Sequence, residues 1–387
     1  MPTVRINRKA VSRIESGHPW LFASDVLDRG EAQPGDAVCV VDSRGKSLGT
    51  AHYSSTSQIT LRLLSRRVEP FDRAIVRSRI EAAERHRQMV AQDTDAYRLV
   101  YAEGDLLPGL IIDRYGPYFS VQLLDQGMDR LSKDIVDVLM EQFPVQGIVG
   151  RNDATTRAKE NLPLEVKVLA GTVPARVTVR MNGLNWTADL LHGQKTGIFL
   201  DQRENYLAAK RYGHGCALDC FTATGGFALH IAEKCETVEG VDSSAPSLEL
   251  ARTNARENSR ANVTFTRADI LDYLPQLLAA HKRYDTVIVD PPAFTKSRGA
   301  VEGATRGYKE INLRALRLLR AGGILITCSC SHHMSEARLL EIVAAAALDA
   351  GRQLRVLERR TQSLDHPILL TVPETHYLKC LILEVVG

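Results

Sequence analysis

The chain has 387 residues, of which 44% are hydrophobic and 25% charged, and its formal net charge is +3. This balance is ordinary for a soluble globular protein, and the length predicts two or three domains. The first twenty residues lack the apolar core of a secretory signal, and no apolar run reaches the length of a membrane span. We therefore expect a cytoplasmic protein, whose seven cysteines do not indicate a disulfide framework.

The first part of the chain reads as short strands separated by turns. Residues 35–65 alternate apolar and polar side chains, which is the pattern of half-buried strands. We predict a small β-barrel over residues 1–70. Basic side chains gather near its start. These residues are Arg8, Lys9 and Arg13. They are candidates for contact with RNA phosphates, and an ordinary solvated surface would account for their charge equally well.

A second segment begins after Pro70, where the period of the apolar residues changes from that of strands to that of a helix. A strand-rich stretch follows at residues 97–150. Further along, Asn182 and Gly183 lie between two alternating runs, as in a tight hairpin. These features predict an α+β middle domain over residues 71–190.

From residue 191 onward, short apolar runs alternate with helical segments. This alternation predicts an α/β fold with a doubly wound parallel sheet over residues 191–387. The five predicted strands are CALDCF, TVEGVD, VTFTRADI, YDTVIVDPP and GGILITCSCS, at residues 216–221, 237–242, 263–270, 284–292 and 322–331.

Carboxylates follow the first three of these strands, at the sheet edge where open α/β folds bind ligands. Asp219 lies at the end of the first strand and precedes a loop that contains Gly225 and Gly226. Asp242 ends the second strand, and its separation from Asp219 along the chain suits a hydrogen bond to a ribose hydroxyl. Asp269 follows the third strand, where an adenine would lie. Together they predict a site for an adenosine-bearing cofactor, and the alternative for Asp242 is a helix N-cap.

The fourth and fifth strands supply the candidate reactive groups. Asp290 is followed by two prolines, which stop the strand from continuing as a helix and hold the carboxylate at the strand end. Cys328 and Cys330 lie two apart on the fifth strand and so share one face. Cys330 is nearer the strand end and the ligand crevice. Cys328 is predicted to pack as a small hydrophobic residue.

The order of these residues resembles that of class I S-adenosylmethionine-dependent methyltransferases: Asp219 with FTATGGF, then Asp242, Asp269, Asp290-Pro-Pro and Cys330. Longer motifs resemble one branch of that group, the large-subunit ribosomal RNA cytosine 5-methyltransferases, and this resemblance covers nearly the whole chain. The motifs are GQKTGIFLDQREN, AEGDLLPGLIIDRYG, DPPAF and DHPILLTVPETHYLKCLIL, at residues 193–205, 102–116, 290–294 and 365–383.

The resemblance implies a PUA domain at residues 1–70, an α+β middle domain at 71–190 and a Rossmann-like class I methyltransferase domain at 191–387. It implies S-adenosyl-L-methionine as cofactor and 23S ribosomal RNA, free or in the assembling large subunit, as partner. The implied cofactor-binding residues in the segment that folds over the cofactor are Lys195, Thr196, Phe199, Asp201 and Arg203. Those near the strand ends are Asp219, Phe221, Thr224, Gly225, Gly226, Asp242, Ser243, Asp269, Asp290 and Pro291.

In the reaction that the resemblance implies, Cys330 is the nucleophile. Addition of its thiolate to C6 of cytosine makes C5 reactive toward the methyl donor, while Asp290 hydrogen-bonds the N3 edge. The target base must be unpaired or flipped out of its helix. Many RNA cytosine 5-methyltransferases carry a second cysteine after the fourth strand, where this chain has Pro292 and Ala293. Another group must therefore act in product release, and His332 and water are both open as the base that removes the C5 proton.

Three other functions stay open at this point. The Asp-Pro-Pro-x-Phe motif also suits an enzyme that methylates guanine N7, which needs no cysteine. A ribosome assembly factor that binds RNA and the cofactor without catalysis is a second alternative. A zinc site is a third alternative, with four candidate ligands: Cys328, Cys330, His332 and His333. These ligands would be crowded at one strand end, where tetrahedral geometry is hard to reach, so we expect no metal. The sequence leaves open which cytosine is modified and whether the chain forms a homodimer.

Overall fold

The computed structural model describes residues 1–193, 198–294 and 301–386. Within it, the chain forms two compact units. The first unit comprises Met1–Arg180, Ala188–Ile198 and Leu364–Thr375, and the second comprises Met181–Thr187, Phe199–Ser363 and His376–Gly387. The predicted domain boundaries at residues 70 and 190 stay predictions. No helix in the described ranges is both long and apolar enough to cross a membrane.

A strand-rich sheet forms the N-terminal part of the first unit. Its elements are β1 (Thr3–Ile6), α1 (Arg8–Glu15), β2 (Trp20–Phe22), β3 (Val26–Asp28), β4 (Ala37–Val41), β5 (Ser47–Tyr53) and β6 (Ile59–Ser65). The strands follow the order β2-β6-β5-β4-β1-β3. Successive side chains of a strand face opposite sides of the sheet, so Val4 and Ile6 of β1 are buried while their neighbours Thr3 and Arg5 are exposed.

A second sheet with helices follows in the same unit. Its elements are α2 (Arg73–Val90), β7 (Ala96–Tyr101), β8 (Leu110–Tyr115), β9 (Tyr118–Leu123), α3 (Gln126–Arg130), α4 (Ser132–Gln142), β10 (Gly147–Asn152), α5 (Thr156–Lys159) and β11 (Glu165–Gly171). The five strands follow the order β11-β10-β9-β8-β7. Asp72 caps α2, since its side chain accepts hydrogen bonds from the backbone N–H groups of Ala74 and Ile75.

A two-stranded sheet consists of β12 (Val177–Met181) and β13 (Leu184–Ala188). Asn182 and Gly183 form the turn between them, with φ angles of 56° and 76°. Two successive residues with positive φ are typical of the tight turns that join antiparallel strands, and Asn-Gly is the pair that adopts them most readily. The predicted hairpin is confirmed.

The second unit contains a seven-stranded sheet with helices. Its elements are α6 (Arg203–Tyr212), β14 (Gly215–Cys220), α7 (Gly226–Ile231), β15 (Cys235–Asp242), α8 (Ala245–Glu257), β16 (Val263–Arg267), α9 (Ile270–Ala279), β17 (Tyr284–Val289), α10 (Val301–Leu318), β18 (Leu319–Ser329), α11 (Glu336–Asp349), β19 (Leu354–Arg360) and β20 (Lys379–Val385). The strand order is β16-β15-β14-β17-β18-β20-β19. The five predicted strands are β14 to β18, and they pair in parallel as expected.

The central parallel strands β14, β17 and β18 are largely buried, as strands covered by helices must be, whereas the edge strand β16 is partly exposed. Val287, Ile288 and Val289 of β17 are all fully buried. One apolar core joins this strand to its helical cover, including Ile311 of α10 and Leu339 of α11. The result is a sheet held from both sides, so polar side chains that serve a ligand are confined to the strand ends and the loops after them.

Candidate active site

The strand order of the seven-stranded sheet reverses between β14 and β17. From β14 the chain proceeds outward to β15 and β16, and then returns to the other side of β14 for β17 and β18. Open α/β sheets bind ligands in the crevice beyond the carboxyl ends of strands at such a reversal. Asp219 lies near the end of β14, Asp242 ends β15, Asp290 follows β17 and Cys330 follows β18.

Asp219 is fully buried at this edge. Its Oδ2 accepts hydrogen bonds from Oγ1 of Thr222 at 2.6 Å and from the backbone N–H of Ala228 at 3.0 Å. Its Oδ1 has no hydrogen-bond partner among the described residues. Desolvation raises the pKa of Asp219 to about 7. A buried acceptor atom without a partner is costly unless a ligand satisfies it, so this carboxylate fits a ligand that brings a donor.

The loop between β14 and α7 is a tight turn. Phe221, Ala223 and Gly225 all have positive φ, at 63°, 47° and 92°. A Cβ on Gly226 would lie 2.4 Å from the ring of Tyr206, so this position has no room for a side chain. Thr224 contributes through its backbone, where its carbonyl accepts a hydrogen bond from Nδ2 of Asn254 at 3.1 Å. The loop is therefore held in one shape by the groups around it.

Asp242 connects the end of β15 to that loop. Its Oδ2 accepts a hydrogen bond from the backbone N–H of Ala223 at 3.0 Å, and its Oδ1 accepts one from that of Ser244 at 2.8 Å. The N-cap of α8 is Ser244, so the alternative in which Asp242 caps this helix is wrong. Ser243 lies between them and is exposed. A half-buried carboxylate here keeps lone pairs for a hydroxyl donor such as a ribose.

Asp269 is the N-cap of α9. Its side chain accepts a hydrogen bond from the backbone N–H of Leu271 at 2.8 Å, which satisfies one of the donors that every helix start leaves without a partner. The residue is exposed. Its capping role is evident from this bond, and its contact with an adenine stays a prediction.

Asp290 lies directly after β17 and is held by a glutamine that the sequence did not single out. Nε2 of Gln202 donates a hydrogen bond to Oδ2 of Asp290 at 2.9 Å. Oε1 of Gln202 in turn accepts one from Nδ2 of Asn205 at 2.7 Å, and Oδ1 of Asn205 accepts one from Nε of Arg360 at 3.0 Å. Pro291 is buried beside the carboxylate. The only sequence signal for Gln202 was its place between two predicted site residues.

Those two neighbours, Asp201 and Arg203, are buried within the second unit. Oδ2 of Asp201 accepts a hydrogen bond from the hydroxyl of Tyr377 at 2.7 Å. The backbone carbonyl of Arg203 accepts one from Nδ2 of Asn182 at 2.8 Å. Phe199 is partly buried. The cofactor contacts of these three residues stay predictions, and the remaining predicted residues of the segment lie outside the described ranges: Lys195 and Thr196.

Cys330 follows the last residue of β18 and is partly exposed, whereas Cys328 is fully buried within the strand. Cys328 faces Cys380 of β20 in the strand register, and burial raises its pKa well above the ordinary value. The two cysteines therefore differ in the way that their positions on the strand predicted. The ring of His332 packs against that of Tyr377, with centroids 5.4 Å apart.

Within the described ranges, no three histidine, cysteine, aspartate or glutamate side chains come together in a way that could hold a metal ion.

A second residue that the sequence analysis missed is Lys379, the first residue of β20. It is 3% exposed, and its Nζ donates hydrogen bonds to the backbone carbonyls of Ser331 at 2.6 Å and Tyr377 at 2.7 Å. A lysine in the otherwise apolar run YLKCLIL was the available signal, because lysine is almost never buried without a partner.

The predicted RNA-contact residues lie in the first unit, on or beside α1. Arg8 and Lys9 are exposed. Arg13 forms an ion pair with Asp25, whose side chain is 1% exposed, and its guanidinium lies over the ring of Phe22, 4.8 Å from the centroid. Arg13 thus has a structural partner, and contact with RNA stays a prediction for all three basic residues.

Two segments of the chain match known domain families. Residues 4–66 match the PUA-like domain and residues 214–366 match the methyltransferase domain. The first match covers the sheet of β1 to β6, and the second covers most of the sheet that carries the strand-end residues. The protein therefore has an N-terminal PUA-like domain and a Rossmann-like class I methyltransferase fold, as the sequence predicted.

Solved structures agree on the fold. A methyltransferase crystallised in complex with SAH matches with a TM-score of 0.86 at 21% identity, and all of each chain is covered. A SAM-dependent methyltransferase from Streptococcus mutans matches with a TM-score of 0.85 at 21% identity, again over all of each chain.

Curated relatives match along nearly the whole chain. Ribosomal RNA large subunit methyltransferase I of Shewanella amazonensis is 40% identical over 96% of this chain and 96% of its own. The protein of the same name from Klebsiella pneumoniae is 38% identical over 94% of this chain and 93% of its own. Sequence identity at this level over the full length indicates shared ancestry of the whole protein, and the chain belongs to the ribosomal RNA large subunit methyltransferase I family.

Proposed function

We propose that this protein transfers a methyl group from S-adenosylmethionine to C5 of a cytosine in 23S ribosomal RNA, with Cys330 as the nucleophile. The observation that carries the proposal is the parallel pairing of β17 with β18, in which Val289 faces Thr327. Because both strands run the same way, Asp290 and Cys330 follow their ends at one edge of the sheet. An acid and a thiol are the two groups that covalent activation of a cytosine requires.

The residues at the strand ends fit the methyl donor. The Oδ1 atom of Asp219, which is buried without a partner in the described structure, suits the amino group of its methionine part. The carboxylate of Asp242 suits the ribose hydroxyls. The tight loop at Gly225 and Gly226 leaves backbone close to the ligand. When bound, the donor supplies an electrophilic methyl group on a sulfonium.

Cys330 activates the base. Its thiolate adds to C6 of the cytosine, so that an S–C6 bond forms and the electron pair of the C5–C6 double bond becomes available at C5. The carboxyl of Asp290, in its protonated form, donates a hydrogen bond to N3 of the base, which favours the addition at C6. The electron pair at C5 then forms a bond to the methyl carbon as the bond between that carbon and the donor sulfur breaks, and the donor sulfur would keep the pair. A base removes the proton from C5, the pair of that C–H bond restores the C5–C6 double bond, and the sulfur of Cys330 leaves C6 with the S–C6 pair.

Gln202 holds Asp290 in this scheme. Its amide donates to one carboxylate oxygen, and its own orientation is set by Asn205 through the bond to Oε1. A carboxylate with one oxygen fixed in this way cannot rotate freely, so it meets the edge of the base in a single orientation. Fixed geometry of this kind is how an active site avoids the entropic cost of alignment.

The substrate assignment rests on the relatives, whose name is ribosomal RNA large subunit methyltransferase I. A cytosine within a paired helix could not reach a thiol at a strand end, so the target base is unpaired or flipped out. Arg8 and Lys9 of the PUA-like domain are exposed and suit contact with RNA phosphates, which position a nucleic acid without reading its sequence.

Bisulfite sequencing of 23S ribosomal RNA tests the reaction and its position together. Deletion of the gene is expected to remove one protected cytosine, and the wild-type gene is expected to restore it. Cys330→Ala should fail to restore protection. Cys328→Ala, which removes a buried thiol from the same strand, is the matched control and should restore it.

Two results would count against the proposal. No change at any cytosine after deletion would point to another base atom, such as guanine N7, or to an assembly factor that does not methylate. Full protection by Cys330→Ala would exclude the covalent mechanism even if a cytosine is the target.

A further inference from the structure

Lys379 is a buried cation beside the end of β18. It opens β20 and faces Ser329 in the antiparallel pairing of β18 with β20. Its side chain is almost wholly removed from solvent, at 3% exposure. Burial of a charge is costly unless the charge has partners. A neighbouring group of negative charge would therefore stabilise this buried ammonium group.

The direct partners of Lys379 are two backbone carbonyls. Its Nζ donates to the carbonyl of Ser331 at 2.6 Å and to that of Tyr377 at 2.7 Å. An ammonium has three N–H donors, and the third has no hydrogen-bond acceptor among the described residues. None of the ion pairs in the described ranges includes Lys379. Two neutral carbonyls leave its full positive charge without a formal counter-charge.

One candidate for that counter-charge is Cys330, in its thiolate form. Ser331, whose carbonyl Lys379 holds, is the next residue after Cys330 in the chain. Burial lowers the pKa of Lys379 to about 8, and attraction to Cys330 and then to Glu336 opposes this lowering. At neutral pH the ammonium group of Lys379 therefore remains mostly charged.

Acidic groups are among the other titratable groups around Cys330, and His332 lies two residues further along the chain. Asp290 follows β17, Glu336 begins α11, and Cys328 lies two residues earlier in β18. Tyr308 of α10 interacts with Cys330 and Asp290, and burial raises its pKa so that it stays neutral. Negative charge on Asp290 or Glu336 disfavours a thiolate. A nearby cation must offset it if Cys330 is to ionise near neutral pH.

We propose that the ammonium of Lys379 stabilises the thiolate of Cys330, and that Lys379 is a positioning residue for the nucleophile. The inference rests on the proposed function only in so far as Cys330 is the nucleophile there. Lys379 holds the backbone at Ser331 through a hydrogen bond and places a positive charge beside the sulfur. No proton or electron is transferred to the substrate by the lysine.

The test is the pH dependence of alkylation of Cys330 by iodoacetamide in the full-length protein, without RNA. Peptide mapping by mass spectrometry follows Cys330 separately from the partly exposed Cys39 and Cys216. In the wild type we expect the midpoint to lie below the value of about 8.5 for a free thiol. Lys379→Met keeps the length of the side chain without its charge. It should move the midpoint upward by about one pH unit, a loss of roughly tenfold in thiolate at neutral pH.

Two variants serve as controls. Lys379→Arg retains the positive charge and should keep the midpoint close to that of the wild type. Lys234→Met removes the charge of an exposed lysine in the second unit and should leave the midpoint unchanged. A purely structural lysine would change the thermal unfolding midpoint in Lys379→Met without changing the pH profile of a folded sample.

The proposal is overturned if folded Lys379→Met alkylates with the wild-type midpoint. If that variant does not fold, the wild-type profile decides, because a midpoint at or above that of a free thiol leaves nothing for Lys379 to explain. Alkylation does not depend on which base is methylated. A shifted midpoint together with an active Cys330→Ala enzyme would therefore refute the proposed mechanism and leave the lysine–thiolate interaction intact.

Discussion

The side-chain amide of Gln202 donates a hydrogen bond of 2.9 Å to the carboxylate of Asp290, across 88 positions of the chain. Gln202 is 2% exposed, and both of its amide atoms are used, since Oε1 accepts a bond from Asn205. A buried amide with both ends engaged has one orientation. The carboxylate that follows β17 thus takes its orientation from a residue at the start of α6.

Gln202→Leu should lower kcat by about tenfold to a hundredfold with little change in KM for the methyl donor, because it removes the group that aligns Asp290. Single-turnover methylation of ribosomal RNA fragments measures this. Gln276→Leu, at an exposed position of α9, is the matched control and should retain full activity. Wild-type kcat in Gln202→Leu would mean that the alignment of Asp290 does not limit the reaction.

Gly226→Ala should destabilise the second unit, since its Cβ would lie 2.4 Å from the ring of Tyr206. Tyr206 is itself fixed by an edge contact with Phe227 at 4.8 Å and by stacking on His230 at 5.0 Å. Overpacking of this kind costs about 1–3 kcal/mol. Urea unfolding at one pH measures the difference in the free energy of unfolding.

The matched glycine is Gly303 in α10, where an added Cβ meets no described atom within 4 Å. Gly303→Ala should stabilise the protein by about 0.5–1 kcal/mol, because alanine loses less conformational freedom in a helix. Equal effects of the two substitutions would show that the ring of Tyr206 can move aside.

Asp219 should make the protein less stable as pH rises toward neutrality. Its pKa is raised from 3.8 to about 7 by burial, so the folded state binds more protons than the unfolded chain between these values. Its contribution to stability is then complete below about pH 4 and is lost as pH rises through about 7. Asp219→Asn should abolish this loss, as measured by urea unfolding from pH 4.5 to 7.5, and an unchanged slope would exclude a buried neutral carboxyl.

His230 should act in the opposite direction over the same range. Burial lowers its pKa from 6.5 to about 4, so the unfolded chain binds more protons in this interval and stability is lost as pH falls from 6.5 through about 4. The two slopes partly cancel in the wild type. His230→Gln should therefore expose the decline due to Asp219, whereas Asp219→Asn should expose the acid sensitivity due to His230.

The basic residues of the PUA-like domain should separate into two classes. Arg13→Ala leaves the buried carboxylate of Asp25 without its ion-pair partner, which costs about 3 kcal/mol of the free energy of unfolding when the remaining charge stays buried.

The double variant Arg8→Ala, Lys9→Ala should leave the thermal midpoint unchanged and weaken RNA binding. Salt titrations of RNA affinity measure the second effect, since lost phosphate contacts reduce the salt dependence. Unchanged affinity would remove both residues from the RNA-contact surface.

Local patterns in the sequence predicted much of the fold but not the antiparallel strands β19 and β20, which complete the seven-stranded sheet. Alternation of apolar and polar residues on both sides of Asn182-Gly183 predicted the hairpin, and short apolar runs between helical segments predicted the five parallel strands. Both patterns are properties of each segment by itself. Cys328 and Cys330 share one face of the strand, and their different distances from the strand end separated buried Cys328 from partly exposed Cys330. The carboxylates at the strand ends were visible for a related reason, since the end of a buried strand is recognisable from the chain alone.

Only the tertiary structure shows which distant residues contact the groups at the strand ends. Gln202 meets Asp290, and Lys379 meets the carbonyl of Ser331 across 48 positions, and neither pairing follows from any local period. Arg13 was a candidate for RNA contact by its charge, and its ion pair with Asp25 became apparent only when the strands were in place. Composition and periodicity determine which segments are buried. The identity of a buried polar group's partner depends on which distant backbone the fold brings beside it, because hydrogen bonds require atoms within about 3 Å of each other.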